Sequence, residues 1–98
     1  MRLFCFYYFP MFVTYVLYSQ KFNKIYIGYT ADLIDRFHSH NQLATKGYTV
    51  NFRPWIVILV DFFDNKSDAI RREKQLKSSR GRDYIWDFIY NDGLISVS

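Results

Sequence analysis

The segment 15–30 constrains the fold most strongly, because it holds two runs of aromatic and β-branched residues around a short polar break. This pattern predicts a β-hairpin. Side chains alternate along a strand, so Val16 and Tyr18 share one face, as do Tyr26 and Gly28. A glycine within a strand is expected where another group must approach closely. We therefore expect Tyr18 and Tyr26 to bring two phenol hydroxyls to the edge of a small open surface, although an ordinary half-buried strand pair explains the same residues.

The whole chain predicts an α+β fold, a three-stranded and mainly antiparallel sheet flanked by helices. Strands are predicted at 12–19, 24–29 and 55–63, and helices at 31–41, 67–79 and 82–90. The third strand is almost continuously apolar, which predicts a central position with both faces buried. Thr30 is expected to cap the first helix and Gly81 to end the second.

The length of 98 residues predicts one domain, which we place at 11–90, followed by a frayed tail at 91–98. Residues 1–10 are apolar and aromatic but lack the small-residue cleavage site of a signal peptide. They are expected to be an extension that the domain does not need, and no membrane partner is expected, although a membrane-associated protein stays an alternative. Cys5 is the only cysteine, which fits a reducing, cytoplasmic location.

The charge distribution favours an anionic partner. The formal net charge is +4, and the segment 66–82 alone contains seven bases and two acids. A solvated helix face would show the same run of charges. If the partner is a nucleic acid, we expect contacts to its phosphates that do not read sequence. The residues predicted to make them are Lys74, Lys77, Arg80 and Arg82.

Glu73, the only glutamate, is predicted to point into an apolar helix stripe between Ala69 and Leu76. A buried carboxylate requires a cation, because removing an unpaired charge from water costs on the order of several kcal/mol. That cation is either a metal or one of the arginines Arg36 and Arg72. A single carboxylate with bound waters suits Mg²⁺ or Mn²⁺.

Arg36 and His40 lie four residues apart and are predicted to flank the apolar stripe of the first helix. A guanidinium can hold two oxygens of a phosphodiester during hydrolysis, whereas the alternative is a surface arginine whose stem covers Phe37. A tyrosine, with an ordinary pKa of about 10, needs a metal or an arginine beside it to serve as a base. His40 is the alternative proton acceptor, or it orients a tyrosine.

Taken in order, these residues resemble the GIY-YIG endonuclease family. Val16-Leu17-Tyr18 stands where the family has Gly-Ile-Tyr and keeps only the tyrosine, whereas Tyr26-Ile27-Gly28 matches its second motif in full. The resemblance extends over about 11–87 and is strongest to small stand-alone bacterial members, similar to the N-terminal nuclease domain found in the excision-repair nuclease. The further matching residues are Arg36, His40, Asn41 and Glu73.

The resemblance implies the same fold and a Mg²⁺-dependent endonuclease that cleaves DNA. The enzyme is expected to recognise the structure of the DNA and not its sequence, and to act in DNA repair or processing. It implies that Glu73 binds the metal and that Tyr18 or Tyr26 is the general base. RNA stays open as a substrate, and a protein partner is expected to supply specificity. Many members carry a late asparagine, for which Asn91 is the candidate here. Because the first motif is degenerate, a nucleic-acid-binding module of the same fold without useful turnover is the alternative.

Overall fold

The structure is a computed structural model that describes residues 11–43 and 45–92. The described residues form an α+β fold, as predicted, in which a three-stranded antiparallel sheet carries helices on both faces. The predicted extension at 1–10 and most of the predicted tail lie outside the described residues. Within these ranges, no helix has the length and apolar character needed to span a bilayer. The elements in chain order are β1 (Phe12–Ser19), β2 (Lys24–Thr30), α1 (Leu33–His38), a π-helical turn (Ser39–Leu43), a 3₁₀ helix (Tyr48–Phe52), β3 (Ile56–Phe63), α2 (Lys66–Lys77) and α3 (Ser79–Asn91).

The central strand of the sheet is β1, because the strand order is β2-β1-β3. The prediction that the third strand is central is therefore wrong. In β3, Ile56 and Phe62 are 44% and 61% exposed, whereas every residue of β1 after Phe12 is buried. An apolar run alone did not distinguish the two strands, since the central position is decided by which strands pair with both edges of a strand.

The register of the hairpin decides which side chains share a face. Tyr15 pairs with Gly28 and Leu17 with Tyr26, while Tyr18 pairs with Ile25. One face of the sheet, which we call the site face, therefore carries Tyr15, Tyr26 and Gly28. The prediction that Tyr18 flanks Tyr26 and Gly28 is wrong, because Tyr18 projects from the opposite face.

The two faces are covered by different elements. On the site face, Tyr15, Leu17 and Trp55 form a core cluster with residues of α1 and the 3₁₀ helix. On the opposite face, which we call the apolar face, a larger cluster packs the sheet against α2 and α3. Its buried members are Val16, Tyr18, Ile25, Ile27, Leu76, Ile85 and Ile89.

Helix α1 begins later than predicted and is capped by a different residue. The carboxylate of Asp32 accepts a hydrogen bond from the Asp35 amide at 3.1 Å, so Asp32 is the N-cap. The hydroxyl of Thr30, the predicted cap, instead accepts from the amide of Asp32 at 3.0 Å. Regular α-helix ends at His38, and the chain continues as the π-helical turn.

Gly81 begins a helix and does not end one, contrary to the prediction. It lies in the first turn of α3, where its amide donates to the hydroxyl of the N-cap Ser78 at 3.2 Å. A Cβ atom at this position would lie 2.5 Å from the Cα atom of Leu76. The glycine is thus required because α3 starts in direct contact with the end of α2.

Candidate active site

Tyr15 is the centre of a chain of hydrogen bonds on the site face. Its side chain is 1% exposed, and its hydroxyl oxygen lies 2.9 Å from Nε2 of His40. Nδ1 of His40 lies 3.0 Å from Oγ1 of Thr49. The guanidinium of Arg36 is also close enough to the phenol for a hydrogen bond that acts on the pKa of both groups. A neutral imidazole has one donor and one acceptor nitrogen, so in the tautomer in which Nε2 accepts from the Tyr15 hydroxyl, Nδ1–H donates to Thr49.

The π-helical turn places His40 in this chain, and two side chains hold the turn. Arg53 donates from Nε to the carbonyl of His40 at 2.7 Å. Asn41 accepts from the amide of Trp55 at 2.6 Å and donates to its carbonyl at 2.9 Å. Single π turns occur frequently at functional sites. Asn41 is therefore a positioning residue that ties the turn to the start of β3.

The electrostatics of the site keep both Tyr15 and His40 neutral at pH 7. Burial, followed by the positive charges of Arg36 and Arg53, lowers the pKa of His40 to about 4. Burial also raises the pKa of Tyr15, although the hydrogen bond from Arg36 acts in the opposite direction. The hydrogen bond to Tyr15 raises the pKa of Arg36, which stays charged.

Gly28 permits the position of the Tyr15 ring. A Cβ atom built on Gly28 would lie 2.6 Å from the Tyr15 hydroxyl oxygen and 3.2 Å from Cε2 of Tyr26. The sequence predicted a close approach at this glycine, and in the structure the approaching group is a tyrosine side chain. Any side chain at position 28 would displace the hydroxyl from His40.

Tyr26 connects the hydrogen-bond chain to an open cleft. Its ring centroid is 4.6 Å from that of His40, and its hydroxyl also hydrogen-bonds Arg36. The cleft has a volume of about 230 Å³, below the range of roughly 300–1,000 Å³ that is typical of sites enclosing a small molecule. Such a cleft suits a segment of a larger substrate. Its lining includes Tyr26, Arg36, His40, Lys46, Tyr48 and Thr49.

The structure does not bring Tyr18 together with the other predicted catalytic residues. Its hydroxyl donates to Oδ1 of Asn23 at 2.9 Å, and its ring meets Trp86 edge-on at 6.1 Å. Burial raises its pKa, and the nearby Tyr90 adds to this effect. Tyr18 thus belongs to the core of the apolar face.

Glu73 is mostly buried, as predicted, on helix α2. Its side chain is 16% exposed, and Oε2 accepts from Nζ of Lys77 at 3.0 Å. Of the arginines considered as partners, Arg72 is instead paired with Asp61 at 2.8 Å. Glu73 is close enough to Tyr15 for its negative charge to contribute to the raised pKa of that phenol.

The donor set around Glu73 fits Mg²⁺ but not a closed metal site. Among residues 11–43 and 45–92, no three His, Cys, Asp or Glu side chains come together as metal ligands. Mg²⁺ keeps several waters and is commonly bound by one or two carboxylates together with substrate phosphates. One carboxylate within electrostatic range of Tyr15 would therefore be a sufficient protein contribution for that ion.

The four bases predicted to contact phosphates are all exposed, around the junction of α2 and α3. Lys77 is engaged with Glu73, whereas Arg80 borders a second cleft with Arg72 and Tyr84. Asn91, the candidate late asparagine, is the last residue of α3 and is exposed.

Sequence reasoning missed Tyr15, Thr49 and Arg53. A usable signal existed for Tyr15: if Ser19 pairs with Lys24 across the turn, Tyr15 falls opposite Gly28. Thr49 and Arg53 lie in a segment predicted as a loop, where no periodic pattern marks their partners.

Known proteins match this chain over most of its length. The model of the GIY-YIG catalytic domain family matches residues 11–85. A UPF0213 protein of Pediococcus pentosaceus is 38% identical over 72 residues, which cover 74% of this chain and 75% of that protein. A UPF0213 protein of Staphylococcus haemolyticus is 36% identical over 58 residues, which cover 59% of this chain and 71% of that protein. The solution NMR structure of the UPF0213 protein BH0048 from Bacillus halodurans aligns at 25% identity and a TM-score of 0.48. The alignment covers 80% of this chain and 84% of the BH0048 chain.

Proposed function

We propose that this chain, which belongs to the GIY-YIG family of nuclease domains, is an endonuclease that hydrolyses phosphodiester bonds of DNA with Mg²⁺ as its metal. The observation that carries the proposal is the hydrogen-bond chain from Arg36 through Tyr15 to His40, beside Tyr26 and within electrostatic range of Glu73. These residues combine a cation and an imidazole that line the cleft with a buried tyrosine and a carboxylate whose charge acts on that tyrosine.

Arg36 is the group that stabilises charge on the phosphate. Hydrolysis places negative charge on the non-bridging oxygens, and a guanidinium that is already oriented can bind two of them without reorganising. Arg36 is held by the hydroxyls of Tyr15 and Tyr26 and borders the cleft. We assign it the same task that the sequence suggested.

Tyr15 is the group through which the attacking water loses its proton. In the resting site, moving the Tyr15 proton to His40 is strongly unfavourable, because burial raises the pKa of Tyr15 and lowers that of His40 to about 4. A separate phenolate is therefore not formed. Instead, the oxygen of Tyr15 accepts the proton of water while its own proton passes to Nε2 of His40, and the bound phosphate raises the pKa of His40 by its negative charge.

Glu73 is the protein ligand of the metal in this proposal. Bound there, Mg²⁺ would supply the positive charge that stabilises the leaving oxygen. Lys77 holds one carboxylate oxygen and so orients the side chain.

Binding of the substrate rests on sequence-independent contacts. The exposed bases Lys74, Lys77, Arg80 and Arg82 would contact phosphates, which gives affinity that falls with salt. We therefore propose recognition of nucleic-acid structure, in DNA repair or processing in the cytoplasm, with a protein partner supplying further specificity.

The proposal is tested by incubating the protein with duplex, single-stranded, flap and branched DNA and with RNA, each in Mg²⁺, Mn²⁺ or EDTA. We expect cleavage of at least one DNA with metal and none in EDTA. Glu73→Gln should stay folded and bind DNA but lose cleavage, because glutamine keeps the shape of the mostly buried side chain. The ion pair that is lost joins Glu73 to the half-exposed Lys77, and such i,i+4 helix pairs are worth about 0.3–0.5 kcal/mol. Asp68→Asn, on the same helix, is the matched control and should cut normally. A folded Glu73→Gln protein that cuts at the wild-type rate would remove the metal site from the mechanism.

A further inference from the structure

A row of aromatic rings leads away from the candidate active site along the surface. Tyr26 and Tyr48 lie nearly parallel, with centroids 6.4 Å apart and planes 27° apart. Tyr48 is 4.9 Å from Phe52, and Phe52 is 5.6 Å from Phe22 at the tip of the hairpin. We call Tyr48, Phe52 and Phe22 the aromatic strip. Rings at its two ends are exposed, Tyr48 by 50% and Phe22 by 40%.

Lysines accompany the aromatic strip along its length. Nζ of Lys24 lies 5.4 Å from the ring centroid of Phe52, and Nζ of Lys21 lies 5.3 Å from that of Phe22. Lys46 lines the cleft next to Tyr48. Gly47, between Lys46 and Tyr48, has a φ of +117°, a conformation that favours glycine. Both of its neighbours border the cleft.

Exposed rings alternating with cations are what an unpaired nucleic-acid strand requires. Bases in a duplex stack on one another, so their faces are closed to protein side chains, whereas unpaired bases can stack on aromatic rings while cations contact the backbone. A surface that grips only duplex phosphates needs the cations but not the rings.

We propose that the aromatic strip binds unpaired nucleotides, so that the substrate is a nucleic acid with a single-stranded segment beside the cleaved phosphate. This inference rests on the proposed nuclease function and names the substrate class of the same site. The aromatic strip starts at Tyr48, which stacks on Tyr26, and Tyr26 lies beside Arg36 and His40. The unpaired segment therefore begins at the cleft and continues towards the tip of the hairpin.

The strip is tested by fluorescence anisotropy in EDTA, with a labelled dT oligonucleotide, a blunt duplex and a duplex carrying a single-stranded tail. Tyr48→Leu and Phe22→Leu keep an apolar side chain for packing but remove the ring. Each should weaken binding of the single strand by about 5- to 160-fold, the effect of losing about one stacked base, and change duplex binding less than twofold. Tyr48→Phe, which keeps the ring, should bind within about twofold of the wild type.

Tyr90→Leu is the matched control, because Tyr90 is 61% exposed on α3, outside the strip. It should bind all three probes like the wild type. The proposal is overturned if the leucine variants at 48 and 22 melt at a lower temperature but bind single strands as Tyr90→Leu does, since the rings then only pack the 3₁₀ helix against the hairpin. If the protein binds and cuts duplexes but single strands bind no better in the wild type than in Tyr48→Leu, the strip fails while the nuclease stands. If no probe binds at all, both proposals fail.

Discussion

Tyr15 and Tyr18 lie three residues apart on β1, are each 1% exposed, and have opposite surroundings. The Tyr15 hydroxyl meets His40 and Arg36, within a network of polar side chains that continues to Thr49. The Tyr18 hydroxyl meets Asn23, while its ring contacts Trp86 within an apolar cluster. Burial raises the pKa of both phenols, so burial alone does not distinguish a reactive tyrosine from a structural one.

What separates the two tyrosines is the number of groups that can exchange a proton or a charge with them. Tyr15 has a neutral imidazole that accepts its proton and a guanidinium that stabilises its oxygen. Tyr18 donates to an amide oxygen, which cannot take the proton at any ordinary pH. The apolar face thus fixes the sheet on its helices, whereas the site face directs its polar groups to one reactive position.

The largest expected effect comes from removing one hydroxyl from each face. Tyr15→Phe should lower the cleavage rate by about 10²–10⁴-fold, the range for loss of a general acid–base group. Tyr18→Phe should cut at the wild-type rate. Tyr18→Phe loses one hydrogen bond, so its stability should fall by about 0.5–1.5 kcal/mol. Tyr15→Phe also leaves the buried Nε2 of His40 without its partner, so its stability should fall by about 1–3 kcal/mol.

Initial rates and urea melts of the two variants, measured together, check this prediction. Equal loss of cleavage in both would mean that the faces are not functionally different. Loss of cleavage in Tyr18→Phe alone would return the role of base to Tyr18, one of the two tyrosines that the family resemblance implied.

The same pair of residues shows how far the sequence could predict the site. The α+β fold and the approximate strands and helices followed from periodicity, because alternation and helical stripes are local properties. Tyr26, Arg36 and His40 were predicted and do lie together in the structure. Tyr18 was predicted because the motif was aligned by its letters, whereas the face is decided by the register of the hairpin, which places Tyr15 opposite Gly28.

Other features could not be read from the sequence because they depend on long-range contacts. The central position of β1 depends on which strands find a partner on each side, and β3 is as apolar as a central strand. The π-helical turn at Ser39–Leu43 is tied by Asn41 to Trp55, fourteen positions away. Thr49 gains its role only when that turn and the 3₁₀ helix are folded against β1.

The next largest effect concerns acid sensitivity, which the buried imidazole gives to the site face. The pKa of His40 is about 4 in the folded protein and about 6.5 when unfolded, so the unfolded chain takes up the proton first as the pH falls. The stability from a neutral His40 is complete above about pH 6.5 and is lost towards pH 4, where the loss reaches about 3 kcal/mol.

Denaturant melts at pH 7 and pH 4 check this prediction through a difference between variants. His40→Gln should remove about 3 kcal/mol from the fall in unfolding free energy between the two pH values, whatever its own stability at pH 7. The exposed His38→Gln is the control and should keep the wild-type fall. The carboxylates are the same in all three proteins, so their contribution cancels in the comparison. An unchanged fall in His40→Gln would mean that the imidazole is solvated or already charged in the folded state.

The smallest effect is a coupling between Gly28 and Tyr15. Gly28→Ala should cost about 1–3 kcal/mol of stability, as overpacking does, because the new Cβ would lie 2.6 Å from the Tyr15 hydroxyl oxygen. In a Tyr15→Phe background that oxygen is gone and the nearest ring atom, Cζ, is 2.9 Å away. The same substitution should then cost about 1 kcal/mol less, a coupling of the size seen between residues in contact. Gly81→Ala is the control, since its Cβ would meet the backbone of Leu76, away from Tyr15. Its loss of stability should add to that of Tyr15→Phe without coupling. Additive behaviour at Gly28 would show that the Tyr15 ring moves aside freely, and a ring that moves freely cannot hold its hydroxyl on His40.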